Sequence, residues 1–180
     1  VIVWSSSSLN DLGTSTVCAW IKPSGWGESN YGRIYDKAQY VLAFDNNVSI
    51  QTFGFFVDYS TTDLRVAAQS NLITLNEWQF VCVVWDGTSS ASGVKFYRNG
   101  VEYAAQGTSG SGTRVSNVDH GYIGNNAATT RTFKGLIDEV AIYNRVLTPI
   151  EIKEQYNSGT GKDYCAAPAC VDKCGDGICQ

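Results

Sequence analysis

Acids, imidazoles, thiols and exposed rings are the groups that do chemistry in a polypeptide, and their spacing decides what they can do together. Asp138 and Glu139 are neighbours in sequence. On a strand their side chains leave opposite faces, so they cannot serve as paired acid and base on one bond. Glu151 and Glu154 share a helix-like segment and read as solvated. The single histidine, His120, lies in the loop-like Asp119-His120-Gly121. Serine is plentiful, but no histidine-based arrangement marks one as a nucleophile. A non-catalytic protein is expected.

Oxygen donors offer another chemistry. Asp45-Asn46-Asn47 and Asn125-Asn126 are carboxylate- and amide-rich loops of the kind that hold a hard cation, with calcium the candidate. The competing reading is that Asp45 and Asn125 are turn residues, since Asp and Asn adopt such backbones unaided. Sugar recognition needs an exposed ring beside hydrogen-bonding groups. Trp26 and Tyr31, in the Ser/Gly/Asn-rich stretch 24–31, are the first choice, and Tyr59 on a turn is the second. The alternative for Trp26 is that it covers one end of the domain. Trp20, Trp78 and Trp85 sit within strand patterns and are assigned to the core.

Six cysteines complete the inventory. Cys18 and Cys82 lie on two strands, either as buried thiols or as a cross-strand disulfide, with the disulfide favoured in an oxidising compartment. Cys165, Cys170, Cys174 and Cys179 crowd a polar tail and are read as disulfide-bonded. No histidine lies among them and no tight C-x2-C pair occurs, which argues against zinc. Asn47-Val48-Ser49 is a glycosylation sequon.

The elements that must position these residues are strands. Thr16–Ile21, Ile34–Tyr35, Tyr40–Phe44, Phe53–Asp58 and Leu64–Ala68 carry β-branched and aromatic residues between turn clusters. Trp78–Trp85, WQFVCVVW, is nearly continuous and fits a central strand buried on both faces. Val94–Tyr97 and Val101–Ala104 flank Asn99-Gly100, a hairpin signature. Residues 107–113 read as a Gly/Ser loop, followed by a short strand at Tyr122–Gly124. A last strand lies within 136–143. Thr148-Pro149 then opens a helix with Glu151 in capping-box position and Gly159 as its stop. The sum is an all-β antiparallel sandwich or jelly roll over residues 1–160, with one short helix, then a cysteine-rich tail over 161–180.

Composition limits the function classes. The 180 residues are 43% hydrophobic with a net charge of −4, and no basic run is present. Nucleic-acid binding is not expected, because phosphate binding needs clustered Lys and Arg. No apolar stretch is long enough for membrane insertion. Cysteine density and polar turns point to an extracellular or cell-surface setting. Val1-Ile2-Val3-Trp4 reads as a strand already under way, as in an internal or processed fragment.

Four blocks resemble the laminin-G-like, concanavalin A-like lectin/glucanase jelly rolls: Val17-Cys18-Ala19-Trp20-Ile21-Lys22-Pro23; Glu77-Trp78-Gln79-Phe80-Val81 with Trp85-Asp86-Gly87; Val94 to Gly100; and Gly135 to Leu147. The resemblance implies the sandwich fold, and a binding or adhesion module for glycans or an extracellular protein. It implies a structural calcium ion with Asp138 as a ligand. The family's hydrolases carry an E-x-D-x-x-E strand, which is not found here, so a glycoside hydrolase ranks last. Members usually begin with a further strand reading roughly F-D-G. A neighbouring subunit or upstream module is expected to supply it, which makes a subunit or spacer of an extracellular filament or surface assembly the rival function. Cys174-Gly175-Asp176-Gly177-Ile178-Cys179 resembles the opening of a cysteine-rich repeat of microbial surface proteins.

Overall fold

The computed structural model describes residues 2–4, 10–45, 52–69, 72–116 and 120–161. The tail cysteines Cys165, Cys170, Cys174 and Cys179, and the sequon at Asn47, lie outside the described residues. In chain order the strands are β1 (Ile2–Trp4), β2 (Ser15–Pro23), β3 (Arg33–Asp36), β4 (Tyr40–Asp45), β5 (Thr52–Val57) and β6 (Leu64–Ala68). They continue as β7 (Gln79–Trp85), β8 (Val94–Arg98), β9 (Val101–Tyr103), β10 (Ala105–Thr108), β11 (Gly121–Ile123) and β12 (Gly135–Tyr143), and helix α1 spans Pro149–Tyr156. All pairings are antiparallel. One sheet runs β1-β11-β3-β4-β5-β6-β10 and the other β12-β2-β7-β8-β9. The all-β sandwich with one short C-terminal helix is the architecture the strand patterns imply.

Alternation builds the interior. Leu42 and Phe44 of β4, Phe53, Phe55 and Val57 of β5, and Leu64 and Val66 of β6 point inward from one sheet. Val17, Ala19 and Ile21 of β2 and Val81, Val83 and Trp85 of β7 meet them from the other. Strand β7 is buried along its whole length because a second layer covers its outer face. Cys18, Phe80, Cys82, Val84 and Tyr97 form that layer beneath Leu147 and Ile152, the latter on α1. Thr16 fastens the layer. Its buried hydroxyl donates to the Arg145 carbonyl at 2.9 Å and accepts from Leu147 N at 3.0 Å.

The capping box forms. Thr148 Oγ1 accepts from Glu151 N at 3.3 Å, and Glu151 Oε2 accepts from Thr148 N at 2.7 Å. The helix stops earlier than Gly159, because Asn157 takes the left-handed conformation (φ 45°) at its C-cap. The expected hairpin is present, with Asn99 and Gly100 both at positive φ.

Three expectations require correction. Trp78 is not a core residue: β7 begins at Gln79, and 44% of the Trp78 surface is exposed. Residues 105–108, partly read as loop, form β10 along β6. Gly107 allows this close approach, since a Cβ there would lie 2.1 Å from the Arg65 carbonyl oxygen. Asp138 and Glu139 do not leave opposite faces. A bulge between Asp138 and Ala141, with Glu139 at φ 46°, breaks the alternation, and both residues line one cleft.

Candidate binding groove

The outer face of the seven-stranded sheet carries the residues that the inward alternation leaves behind. These are Val41, Ala43 and Asp45 on β4, Gly54 and Phe56 on β5, and Arg65 and Ala67 on β6. Register sets them side by side: Val41 stands opposite Phe56, Ala43 opposite Gly54, and Phe56 opposite Arg65. Small residues keep the floor shallow. Gly54 lets the Phe56 ring lie back along the strand, for a Cβ there would come 2.7 Å from Phe56 Cζ. The Arg65 guanidinium stands 5.6 Å from the centre of that ring.

Two contiguous clefts result, of about 520 and 270 Å³. Both are lined by Tyr31, Phe56 and Arg65. The larger adds Asp45 and Gln106, and the smaller adds Arg33 and Asp58.

Tyr31 reaches the groove from a loop that is tied down along its length. Ser24 N donates to the Lys134 carbonyl and Glu28 N to the Thr132 carbonyl, at 2.8 and 2.9 Å. Gly27 and Gly32 permit this packing, as a Cβ on Gly27 would meet the Gly32 backbone at 2.4 Å. The Arg131 guanidinium lies 5.4 Å from the Tyr31 ring centre. Asn125 holds Arg131 in place, its Oδ1 accepting from Arg131 N at 2.9 Å.

Charge in the groove is mixed and partly desolvated. Burial raises the pKa of Asp45, against the pull of Arg65. Burial, followed by repulsion from Asp63, raises that of Asp58. Asp36 is raised too: burial outweighs its 3.1 Å ion pair with Arg33. Burial in turn presses Arg33 below the usual guanidinium range. Flat rings, an apolar floor, carboxylate acceptors and guanidinium donors together can hold a polyhydroxylated chain by stacking and hydrogen bonding.

Of the residues chosen from sequence, Tyr31 and Asp45 enter this groove. Trp26 does not. It packs on the core with its ring edge-on to Phe44, centroids 5.2 Å apart. Tyr59 also packs against the core, and its N–H donates to Asp63 Oδ1 at 3.2 Å. Asn125 is buried, with its side chain committed to Asn126 N, Arg131 N and Thr132 Oγ1. Asp138 stands on the other sheet, accepting from Glu139 N at 2.8 Å. Asp45, Asn125 and Asp138 therefore form no common centre. Among the described residues no three His, Cys, Asp or Glu side chains converge to hold a metal ion. Cys18 and Cys82, direct partners across β2 and β7, are joined in a disulfide with Cα atoms 4.1 Å apart.

Phe56, Arg65, Arg33, Asp58 and Arg131 were not singled out from sequence. Alternation in 52–57 and 64–68 carries the signal for Phe56 and Arg65, since each is the odd residue out in a set of inward-facing neighbours.

Sandwich, groove and capped helix together define a lectin-like jelly roll. A laminin-G family model, described as the concanavalin A-like lectin/glucanases superfamily, matches residues 2–153, and the chain belongs to that family. Among solved structures it is similar to the heptameric SAP-like pentraxin of Limulus polyphemus, with TM-score 0.59, 20% identity, 79% of this chain and 69% of that one covered. It is similar to the binding domain of Paraclostridial Mosquitocidal Protein 1, with TM-score 0.62, 12% identity and 86% of this chain covered, though it spans only 39% of that chain. The Ruminococcus gnavus IT-sialidase CBM40 bound to alpha2,3 sialyllactose aligns with TM-score 0.58, 14% identity, and 79% and 82% of the two chains. Identities this low speak for shared fold. No curated protein matches the chain in sequence. No helix among the described residues is long and apolar enough to cross a membrane.

Proposed function

We propose that this chain is a non-catalytic extracellular module that binds a glycan chain in the groove on the outer face of the seven-stranded sheet. One observation carries the reading. Two ring–guanidinium pairs, Tyr31 with Arg131 and Phe56 with Arg65, flank a shallow floor edged by Asp45 and Asp58. Rings take the apolar faces of sugars, while carboxylates and guanidinium groups take hydroxyls. The scaffold is rigid and the mechanism passive, with affinity set by surface already in place. A neighbour of the same fold, CBM40, is described with a bound sialyllactose, which supports a sugar as the ligand class. The buried disulfide supports the extracellular assignment. Calcium at Asp138 rests on the family resemblance alone and takes no part in this reading.

A glycan array covering neutral and acidic oligosaccharides tests the proposal, followed by calorimetry with the retained sugars. Binding that Phe56→Ala and Arg65→Ala both weaken supports it. An array without hits, or hits that both variants bind as well as the parent chain, overturns it.

A further inference from the structure

The five-stranded sheet carries a second cleft, of about 220 Å³, on the opposite sheet from the groove. Trp20, Trp78, Asp138, Glu139, Gly159 and Thr160 line it. The sequence gathers them by three separate devices. Asp138 and Trp20 are direct partners across β12 and β2, so they share the outer face. The bulge after Asp138 turns Glu139 to the same cleft. The turn that follows α1 lays Gly159 and Thr160 alongside, and Gly161 sits so close to Glu139 that a Cβ would lie 2.6 Å from its Oε2.

The two indoles differ in role. Trp20 is fixed, with Phe80 and Tyr156 at centroid distances of 5.6 and 5.8 Å. Its Nε1 is out of solvent and has no hydrogen-bond partner. Among the described residues Trp78 has no such ring neighbours, and it presents 44% of its surface to solvent. Trp78 belongs to neither buried core cluster. Among the described residues no Lys, Arg or His lines the cleft.

We propose that this cleft binds an organic cation, a lysine-type ammonium or a quaternary ammonium group, on the Trp78 indole, with Asp138 and Glu139 as counter-charge. An indole face is the strongest aromatic partner for a cation, and two carboxylates at its edge select positive charge over a neutral group of the same shape. Two sources of such a cation are a peptide lysine and choline. The inference stands apart from the groove on the other sheet.

The test is titration of the full chain, with the indole N–H resonances followed by NMR. The probes are choline, Nα-acetyl-lysine amide, neutral tert-butanol and calcium chloride. Saturable movement of the Trp20 and Trp78 resonances with either cation, and none with tert-butanol, is expected. Whichever cation acts identifies the source. Trp78→Ala and the isosteric Asp138→Asn should each weaken binding roughly 3- to 30-fold. Trp78 is exposed, and the amide oxygen introduced by Asp138→Asn can still accept from Glu139 N, so both variants should fold. Arg65→Ala should leave the titration unchanged. Three results would overturn the proposal: no saturable movement with either cation, an equal response to tert-butanol, or a response to calcium alone. Loss of the response in Arg65→Ala would also overturn it, by placing the site in the groove.

Discussion

Phe56 on β5 and Arg65 on β6 are direct cross-strand partners, and the guanidinium lies 5.6 Å from the centre of the ring. The pair depends on a third residue. Gly54, two positions before Phe56 on the same face, leaves the space into which the ring reclines.

Gly54→Ala therefore probes the groove without removing any of its functional groups. Its Cβ would stand 2.7 Å from Phe56 Cζ, the free end of a side chain, so the ring must lift. Stability should change by about 1 kcal/mol or less, while glycan affinity falls roughly 3- to 30-fold. Calorimetry and urea denaturation on the same preparation separate the two effects. Unchanged affinity would mean the reclined ring is not the platform.

The tryptophans should split by burial. Trp85 is fully buried, packs on Tyr40 and Phe55, and donates from Nε1 to the Thr88 carbonyl at 2.8 Å. Trp85→Ala should cost about 3–5 kcal/mol. Trp78→Ala should cost less than about 1 kcal/mol, because its indole contributes little to the core. Equal losses in denaturant midpoints would contradict the boundary drawn at Gln79.

Cys18 and Cys82 close a span of 64 residues under the cover of α1. The double variant Cys18→Ala/Cys82→Ala should lose about 2–4 kcal/mol, read from urea denaturation. In the native parent chain, reductant should reach the bond only as α1 opens. Reduction followed by alkylation and mass spectrometry should therefore show slow labelling that speeds up in Ile152→Ala.

Glu151 is held at about 2, below its ordinary 4.5, first by Arg145 at 2.7 Å and then by the Thr148 backbone and hydroxyl. A depressed folded-state value places the stabilisation above the unfolded value, and acid removes it as pH falls through the folded one. Melting temperature should thus drop between pH 4.5 and about 2, and Glu151→Gln should flatten that limb. The carboxylate is exposed, so the effect is small and salt weakens it. Thr148→Ala, which breaks the box itself, should cost about 1 kcal/mol at neutral pH.

The fold was legible because its signals are local. Asn99-Gly100 dictates the hairpin, Thr148-Pro149 with Glu151 dictates the helix start, and β-branched runs dictate the strands. The disulfide also followed from two cysteines placed on strands. The groove was less legible, because its members come from β3, β4, β5, β6, β10 and the loops between strands, and only the tertiary fold brings them together. Sequence offers Tyr31 as an exposed ring for a sugar, and Asp45 only as a cation ligand or turn residue. Phe56 and Arg65 needed the inward set to be known before their outward position had meaning. Trp78 and the Asp138-Glu139 pair were misplaced for a related reason. Apolar continuity does not mark where a strand leaves its cover, and alternation fails at a bulge that residue types alone do not announce.

Glycan recognition in the groove is tested most directly by calorimetric titration of an array-selected oligosaccharide into the parent chain, Phe56→Ala, Arg65→Ala and Tyr31→Ala. Saturable binding to the parent chain is predicted, with a roughly 3- to 30-fold loss in each variant and melting temperatures nearly unchanged. Equal affinity in all four proteins would contradict it, for the sugar would then sit elsewhere on the sandwich.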